Sequence, residues 1–346
     1  MSRFLGVILS FLLLGQALVA QGMAAPPEQL LADEEALVGL YRGPGVMLAV
    51  GEENGHLTII HPQLRLEKAS EKEKLENIHP LSKVYYDKYQ FMDSIPGFTS
   101  EDAVTFERDK EGRGISLRVG ENNFNRFFTP SEDGKSFRVK PAEKLSVLRT
   151  QVAKEIVPKH RYSATANLVE LSTVVPYLHY DLRYATANNL FGEPLVVSQK
   201  AYLDKEAALA LGKVQQRLKP YGYGLIVWEA YRSWQDFKVA VLALGPKYRG
   251  MLPKPEKGFS HCTGRAIAVS LYNLNDGQAV PMISDFDEIT PAQYKNYLGS
   301  TSLKRWQRDL LIASMEAEGF TGSEMEWWHF DYQIKTSYQW LNTVLD

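Results

Sequence analysis

Two histidines and one glutamate stand where polar residues are scarce: His261, just ahead of the apolar run Arg265 to Leu274, and Glu326 and His329 inside Glu-Trp-Trp-His-Phe at 326–330. A neutral imidazole is a nitrogen ligand for zinc, and a nearby carboxylate can take the proton from an attacking water. His329 and Glu326 suit those two roles. The same stretch also reads as core, with Trp327, Trp328 and Phe330 packed around a hydrogen-bonded His329, and spacing alone leaves both readings standing. Arg232, in Glu-Ala-Tyr-Arg-Ser at the end of an apolar stretch, has the planar donors that stabilise a developing oxyanion, or it is the ion-pair partner of Glu229. Cys262 reads as a small buried hydrophobe rather than a ligand or nucleophile. His56, His61 and His79 have no carboxylate or histidine partner at metal-ligand spacing and read as surface or structural. The chain has no Gly-x-Gly-x-x-Gly, no phosphate-binding loop, no His-Glu-x-x-His and no Gly-x-Ser-x-Gly elbow; Ser260 beside Gly258 only approaches the last.

The elements that must hold these residues lie in the second half. Asp204 predicts a helix cap for Lys205 to Leu218, whose stripe is Ala207, Leu211, Val214 and Leu218, with Gly222 beyond its end. Tyr223 to Trp228 reads as a strand, Trp234 to Leu244 as a helix, Arg265 to Leu274 as a strand, Arg305 to Glu318 as a helix and Glu326 to Tyr332 as a last strand. Helices and strands mixed without a regular βαβ repeat predict an α+β domain over 167–346. The first half, 37–140, reads as short strands between turns: Leu40 to Val50, Leu57 to Ile60, Val104 to Glu107, Ile115 to Val119 and Phe137 to Val139. The pairs Asn54-Gly55 and Asp133-Gly134 are hairpin signals, so a small antiparallel β-barrel or sandwich is expected. The mixed-charge stretch Glu67 to Glu76 reads as solvated, and 141–166 as a linker.

With 346 residues, 45% apolar and 23% charged, the chain has the composition of an ordinary globular protein of about two domains. The net charge of −2 provides no global attraction to nucleic acid, and no such partner is expected. A single cysteine excludes intramolecular disulfides and cysteine-rich zinc modules. Arg3, the apolar run Phe4 to Leu14 and the small residues Ala17 to Ala25 form the pattern of a secretory signal peptide over 1–24, with cleavage after Ala24 preferred to Ala20. The expectation is an exported protein, periplasmic or secreted, with no membrane association after cleavage.

In order along the chain, Tyr180 to Asn189, Glu229-Ala-Tyr-Arg232, His261-Cys-Thr-Gly-Arg-Ala266, Val280-Pro-Met with Phe286-Asp-Glu288, and Glu326-Trp-Trp-His-Phe330 resemble the VanX-type D-alanyl-D-alanine dipeptidases of the zinc D-Ala-D-Ala peptidase superfamily. The resemblance spans roughly Leu168 to Tyr338 and leaves the first half outside it. It implies a zinc-peptidase domain in which His261 and His329 bind zinc and Glu326 is the general base. Arg232 would stabilise the transition state, Asp287 would meet the substrate ammonium, and Glu229 and Tyr231 would line the substrate site.

The departures are specific. The family's metal motif, Ser-x-His-x-x-Gly-x-Ala-x-Asp, aligns its histidine on His261, its glycine on Gly264 and its alanine on Ala266, so the aspartate ligand falls on Ala268 and the serine on Phe259. A methyl group binds no zinc, and a catalytic zinc normally has three protein ligands. A weakened site is expected, unless Cys262, Ser270, a second water or Glu326 itself completes the shell. Two functions are compatible with this pattern: an exported zinc dipeptidase acting on D-Ala-D-Ala or a related cell-wall dipeptide, or a catalytically degenerate domain that binds a peptide or wall fragment without cleaving it.

Overall fold

The computed structural model describes residues 24–43, 45–60, 78–93, 103–158, 162, 164–248, 252, 259–333, 337–343 and 345. The expected signal peptide, apart from Ala24, lies outside the described residues, as do His61 and the charged stretch 67–76. The chain forms two compact units, one from Pro26–Lys135 with Ile289–Asp309, the other from Ser136–Glu288 with Leu310–Asp346.

In the first unit a short helix α1 (Ala32–Glu35) precedes eight antiparallel strands: β1 (Gly39–Arg42), β2 (Met47–Glu53), β3 (His56–Ile60), β4 (Ile78–Tyr85), β5 (Lys88–Phe91), β6 (Ala103–Arg108), β7 (Gly114–Val119) and β8 (Asn122–Phe127). They close into a barrel because β1 pairs with both β2 and β8. Closure leaves no open edge for another chain to pair with. Alternation fills the barrel: in β5, Tyr89 and Phe91 turn inward and Lys88 and Gln90 outward. The Asn54-Gly55 turn joins β2 to β3 as expected, both residues having positive φ (52° and 79°), as a type I′ turn requires. Asp133-Gly134 makes no hairpin. It ends a single 3₁₀ turn, Ser131–Asp133, closed by Gly134 in the left-handed region. Phe137 to Val139 also forms no strand, although Val139 donates to the Leu190 carbonyl.

The second unit is a mixture of helices and strands. Residues 141–166, expected as a linker, contain helix α2 (Leu145–Val152), which buries Leu145, Leu148 and Val152. After β9 (Leu168–Glu170), α3 (Leu171–Val174), β10 (His179–Tyr180) and β11 (Tyr202–Asp204) comes the predicted helix α4 (Lys205–Leu218). Its whole stripe is buried, and the Asp204 side chain accepts from Glu206 N. The chain continues through β12 (Tyr223–Glu229), α5 (Trp234–Tyr248, kinked at Gly245), β13 (Ala266–Asn273), α6 (Ser302–Glu316, of this unit from Leu310 on), β14 (Phe320–Gly322) and β15 (His329–Tyr332). The main sheet has the order β10-β12-β13-β15-β14, and β9 pairs separately with β11. The last strand begins at His329, so Glu326 lies in the preceding turn, where His329 N donates to the Glu326 carbonyl.

Candidate active site

The centre of the sheet positions the site. Strand β13 is buried over all but its last residue, as its apolar sequence demands, and it lies between β12 and β15. At one register position Glu229 of β12, Ala268 of β13 and His329 of β15 form a row. The pairing of β12 with β13 shifts between Val227 and Glu229, a bulge at Trp228. A bulge adds one residue to one strand and re-aims the side chains beyond it. Here it places Glu229 opposite Ala268.

His261 comes from the 3₁₀ turn Ser260–Thr263, which leads into β13. Gly264 closes this turn at φ 74°, and a Cβ there would stand 2.4 Å from Leu168 Cδ2, so both the backbone angle and the space call for glycine. The His261 ring lies 2.6 Å through Nδ1 from the Ala230 carbonyl and 3.1 Å through Nε2 from His329 Nδ1. His329 Nε2 in turn meets Asp331 Oδ1 and Ser260 Oγ, each at 3.2 Å. A carbonyl and a carboxylate can only accept, so they place N–H on His261 Nδ1 and His329 Nε2. The two inward nitrogens then face each other with lone pairs, and a proton or a cation must lie between them. Burial, with His329 and Arg232 nearby, holds His261 well below the usual imidazole range. Burial also opposes charge on His329, but the Asp331 hydrogen bond and charge, with Glu326 and Glu229, outweigh it and raise its pKa.

Carboxylates flank this pair. Glu229 Oε2 is 3.7 Å from His261 Nε2, and Glu326 Oε2 is 3.8 Å from His329 Nδ1. Burial pushes Glu229 up to about 7 against the pull of Arg232, and it also raises Glu326. Arg232 is 2% exposed and clamped between the rings of Tyr184 (4.5 Å) and Phe259 (4.8 Å). Its Nε lies 2.9 Å from Glu229 Oε1, yet neither Nε nor Nη1 makes a well-aligned hydrogen bond among the described residues. Donors buried in this state are available to an incoming oxygen. Asp287, left-handed at φ 53°, accepts a 2.6 Å hydrogen bond from the Tyr184 hydroxyl. Burial pushes Asp287 up to about 6, and that hydrogen bond opposes the shift.

Of the residues singled out in the sequence, His261, His329, Glu326, Glu229 and Arg232 therefore form one linked cluster. Tyr184 joins Asp287 to Arg232. Tyr231 is used differently, since its hydroxyl donates to the Thr343 carbonyl at 3.0 Å. Cys262 is fully buried, and burial drives its thiol far above the usual range, so it presents no thiolate. Three participants carry no role in the sequence reading: Asp331, Ser260 and Tyr184. Asp331 had a signal, because residues two apart on a strand share a face and His329 is two positions before it. The pairing of Tyr184 with Asp287 joins residues far apart in the chain and left no local trace.

The donor set fits zinc in its imidazoles. Two nitrogens on a tetrahedral zinc are about 3.3 Å apart for Zn–N near 2.05 Å, against 3.1 Å here. Each imidazole is also oriented through its other nitrogen, as metal-binding histidines are. The third position does not fit as expected, because Ala268 carries no donor. Among the described residues no group of three or more His, Cys, Asp or Glu side chains is already gathered for a metal.

Sequence comparison assigns the same half of the chain to a family. The family model described as D-ala-D-ala dipeptidase matches residues 164–342. The chain is 31% identical over 177 residues to the D-alanyl-D-alanine dipeptidase of Escherichia coli (strain K12), a match covering 51% of this chain and 90% of that protein. It is 31% identical over 171 residues to the enzyme of the same name from Enterococcus faecalis (strain ATCC 700802 / V583), covering 44% and 85%. With the namesake from Streptomyces coelicolor (strain ATCC BAA-471 / A3(2) / M145) it shares 24% over 184 residues, covering 48% and 91%. The chain belongs to the D-Ala-D-Ala dipeptidase family of peptidases, through its second half.

Proposed function

We propose that the second unit is a zinc dipeptidase that hydrolyses D-Ala-D-Ala or a related cell-wall dipeptide after export to the periplasm or medium. The observation that supports it most is the convergence of His261 Nε2 and His329 Nδ1, with Glu326 beside them and the unfilled donors of Arg232 close by. His261 and His329 would hold the ion, which supplies Lewis acidity to the scissile carbonyl and acidifies the attacking water. The remaining work falls to the chain. The Asp287 carboxylate, fixed by Tyr184, receives the substrate ammonium. Arg232 donates to the carbonyl oxygen as negative charge develops on it. Glu326 takes a proton from water as the new C–O bond forms, then passes it to the leaving nitrogen as the C–N bond breaks. The apolar leader at 4–14 supports export. No helix of the described residues is long and apolar enough to cross a membrane.

Steady-state hydrolysis of D-Ala-D-Ala by the full chain and by Glu326→Gln tests the reading. Loss of a general base predicts a fall in kcat of about 10²–10⁴; turnover untouched by the substitution refutes the mechanism. Ala268 supports a second reading, a domain that binds a wall dipeptide without cleaving it. That reading predicts no turnover by the natural chain together with a rise in its Tm on adding the dipeptide.

A further inference from the structure

Resting on the zinc reading above, we propose that Glu229 is the third protein ligand of this chain, supplying from strand β12 the carboxylate that Ala268 lacks on β13. Residues directly opposite on neighbouring strands share a face, with Cβ atoms about 4.5–5.5 Å apart. The Glu229–Ala268–His329 row therefore puts a carboxylate, a methyl and an imidazole side by side on one face of the sheet. The methyl is the smallest side chain short of glycine and leaves the middle of the row open to its neighbours. Glutamate is one methylene longer than the aspartate expected at 268, and it starts one strand away.

The bulge at Trp228 makes this possible. Continued without it from the Val227↔Val269 pair, the ladder would set Trp228 opposite Ala268 and Glu229 opposite Ile267. Side chains alternate between faces, so Glu229 would then share the face of Ile267 instead of that of His329. With the bulge, Glu229 Oε2 already stands 3.7 Å from His261 Nε2. Two donors on one tetrahedral zinc sit about 3.3 Å apart, so a small side-chain rotation closes the difference. The other oxygen, Oε1, keeps its ion pair with Arg232 Nε at 2.9 Å. Ser270 is two positions further along β13, opposite Ile226 and outside the row. Glu326 is the remaining rival, at 3.8 Å from His329 Nδ1.

Zinc affinity, read by competition with a chromophoric chelator, separates these cases on the full chain and on E229Q, E326Q, A268D and the E229Q/A268D double variant. Circular dichroism checks that each variant folds. The expectation is that E229Q weakens zinc binding by at least about 10–100-fold, the loss typical of removing even an outer partner, while E326Q leaves it unchanged. A268D restores the affinity in E229Q but adds little to the natural chain, whose third position Glu229 already fills, whereas a merely structural role of Glu229 would give the same gain in both backgrounds. The visible absorption of the cobalt(II)-loaded protein should change in E229Q and stay constant in E326Q. If E229Q binds zinc as tightly as the natural chain, or if E326Q takes the loss instead, the assignment of Glu229 is overturned and the zinc reading stands. If the natural chain binds no zinc while A268D does, the zinc reading fails for this chain and the assignment falls with it.

Discussion

Arg232→Lys keeps the positive charge beside Glu229 and removes the planar fork. In the structure the guanidinium is nearly sealed from solvent, lies between the Tyr184 and Phe259 rings, and leaves Nε and Nη1 without well-formed hydrogen bonds. A lysine ammonium at the end of a flexible stem cannot reproduce both a donor aimed at the carbonyl oxygen and a flat surface against two rings. Loss of an oxyanion donor predicts a fall in kcat of about 10²–10³, equivalent to about 2.7–4 kcal/mol. Two cation–π contacts contribute about 0.5–2 kcal/mol each according to their desolvation, so with the charge retained the stability loss is set at about 1–3 kcal/mol.

The two effects must be read separately. A loss of that size leaves a domain with an ordinary reserve of about 5–15 kcal/mol folded, so a drop in kcat cannot be ascribed to unfolded enzyme. Steady-state kinetics on D-Ala-D-Ala give kcat and KM, and urea unfolding gives the stability. An interaction made only in the transition state lowers kcat and kcat/KM together. A variant with unchanged kcat and raised KM would show that Arg232 binds the ground state and the transition state equally, and the oxyanion argument would be refuted.

Tyr184→Phe removes the hydrogen bond that opposes burial at Asp287, and a hydrogen bond to a charged group, at about 1.5 kcal/mol, corresponds to about one pKa unit. The acid limb of the kcat/KM profile should move up by about that unit, and an unmoved limb would separate Asp287 from substrate capture. The sign for stability comes from the same shift: the Asp287 carboxyl, raised to about 6, binds its proton more tightly folded than unfolded, so its contribution improves as pH falls through that value toward the ordinary carboxylate range. Asp204→Ala deletes the cap of α4, the acceptor of Asn167 N at 2.9 Å and the 2.6 Å partner of buried Arg265. Urea unfolding should show a loss of about 3–5 kcal/mol, as expected when a buried charge loses its partner; a loss comparable to that of a helix cap alone, about 1 kcal/mol, would show that Glu206 replaces Asp204 beside Arg265.

The range of the forces involved decided which features were legible in the sequence. Helix α4 was legible because its cap and stripe lie within one segment, and the Asn54-Gly55 turn because its φ requirement is local. Strand β4 was hidden by Pro80, which the ladder accommodates opposite Thr58, and β8 by its polar sequence Asn122 to Phe127. Both are strands because their neighbours pair with them, a tertiary term that propensity does not contain. Within the site, His261, His329, Glu326 and Arg232 were legible by type and order. The position of Glu229 opposite Ala268 was not, because it depends on a one-residue bulge with no compositional mark.

The two departures from the family motif have the same structural form. Phe259 occupies the serine position and stacks on His261 (4.9 Å, 21°) and on Phe237 (4.7 Å, 8°), while carrying one face of Arg232. The hydroxyl is one residue later, where Ser260 Oγ reaches His329 Nε2. An aromatic wall thus stands at the motif's serine position, and the neighbouring residue supplies a polar contact to the histidine. At Ala268 the lost group again has a counterpart next door, across a strand pair instead of along the chain. Simple decay of an idle site would leave buried groups with no common focus, and buried charge without a partner is costly. Here Arg232, Glu229, His261, His329, Asp331 and Ser260 remain linked contact by contact. That continuity favours a rearranged working centre over a vestigial one.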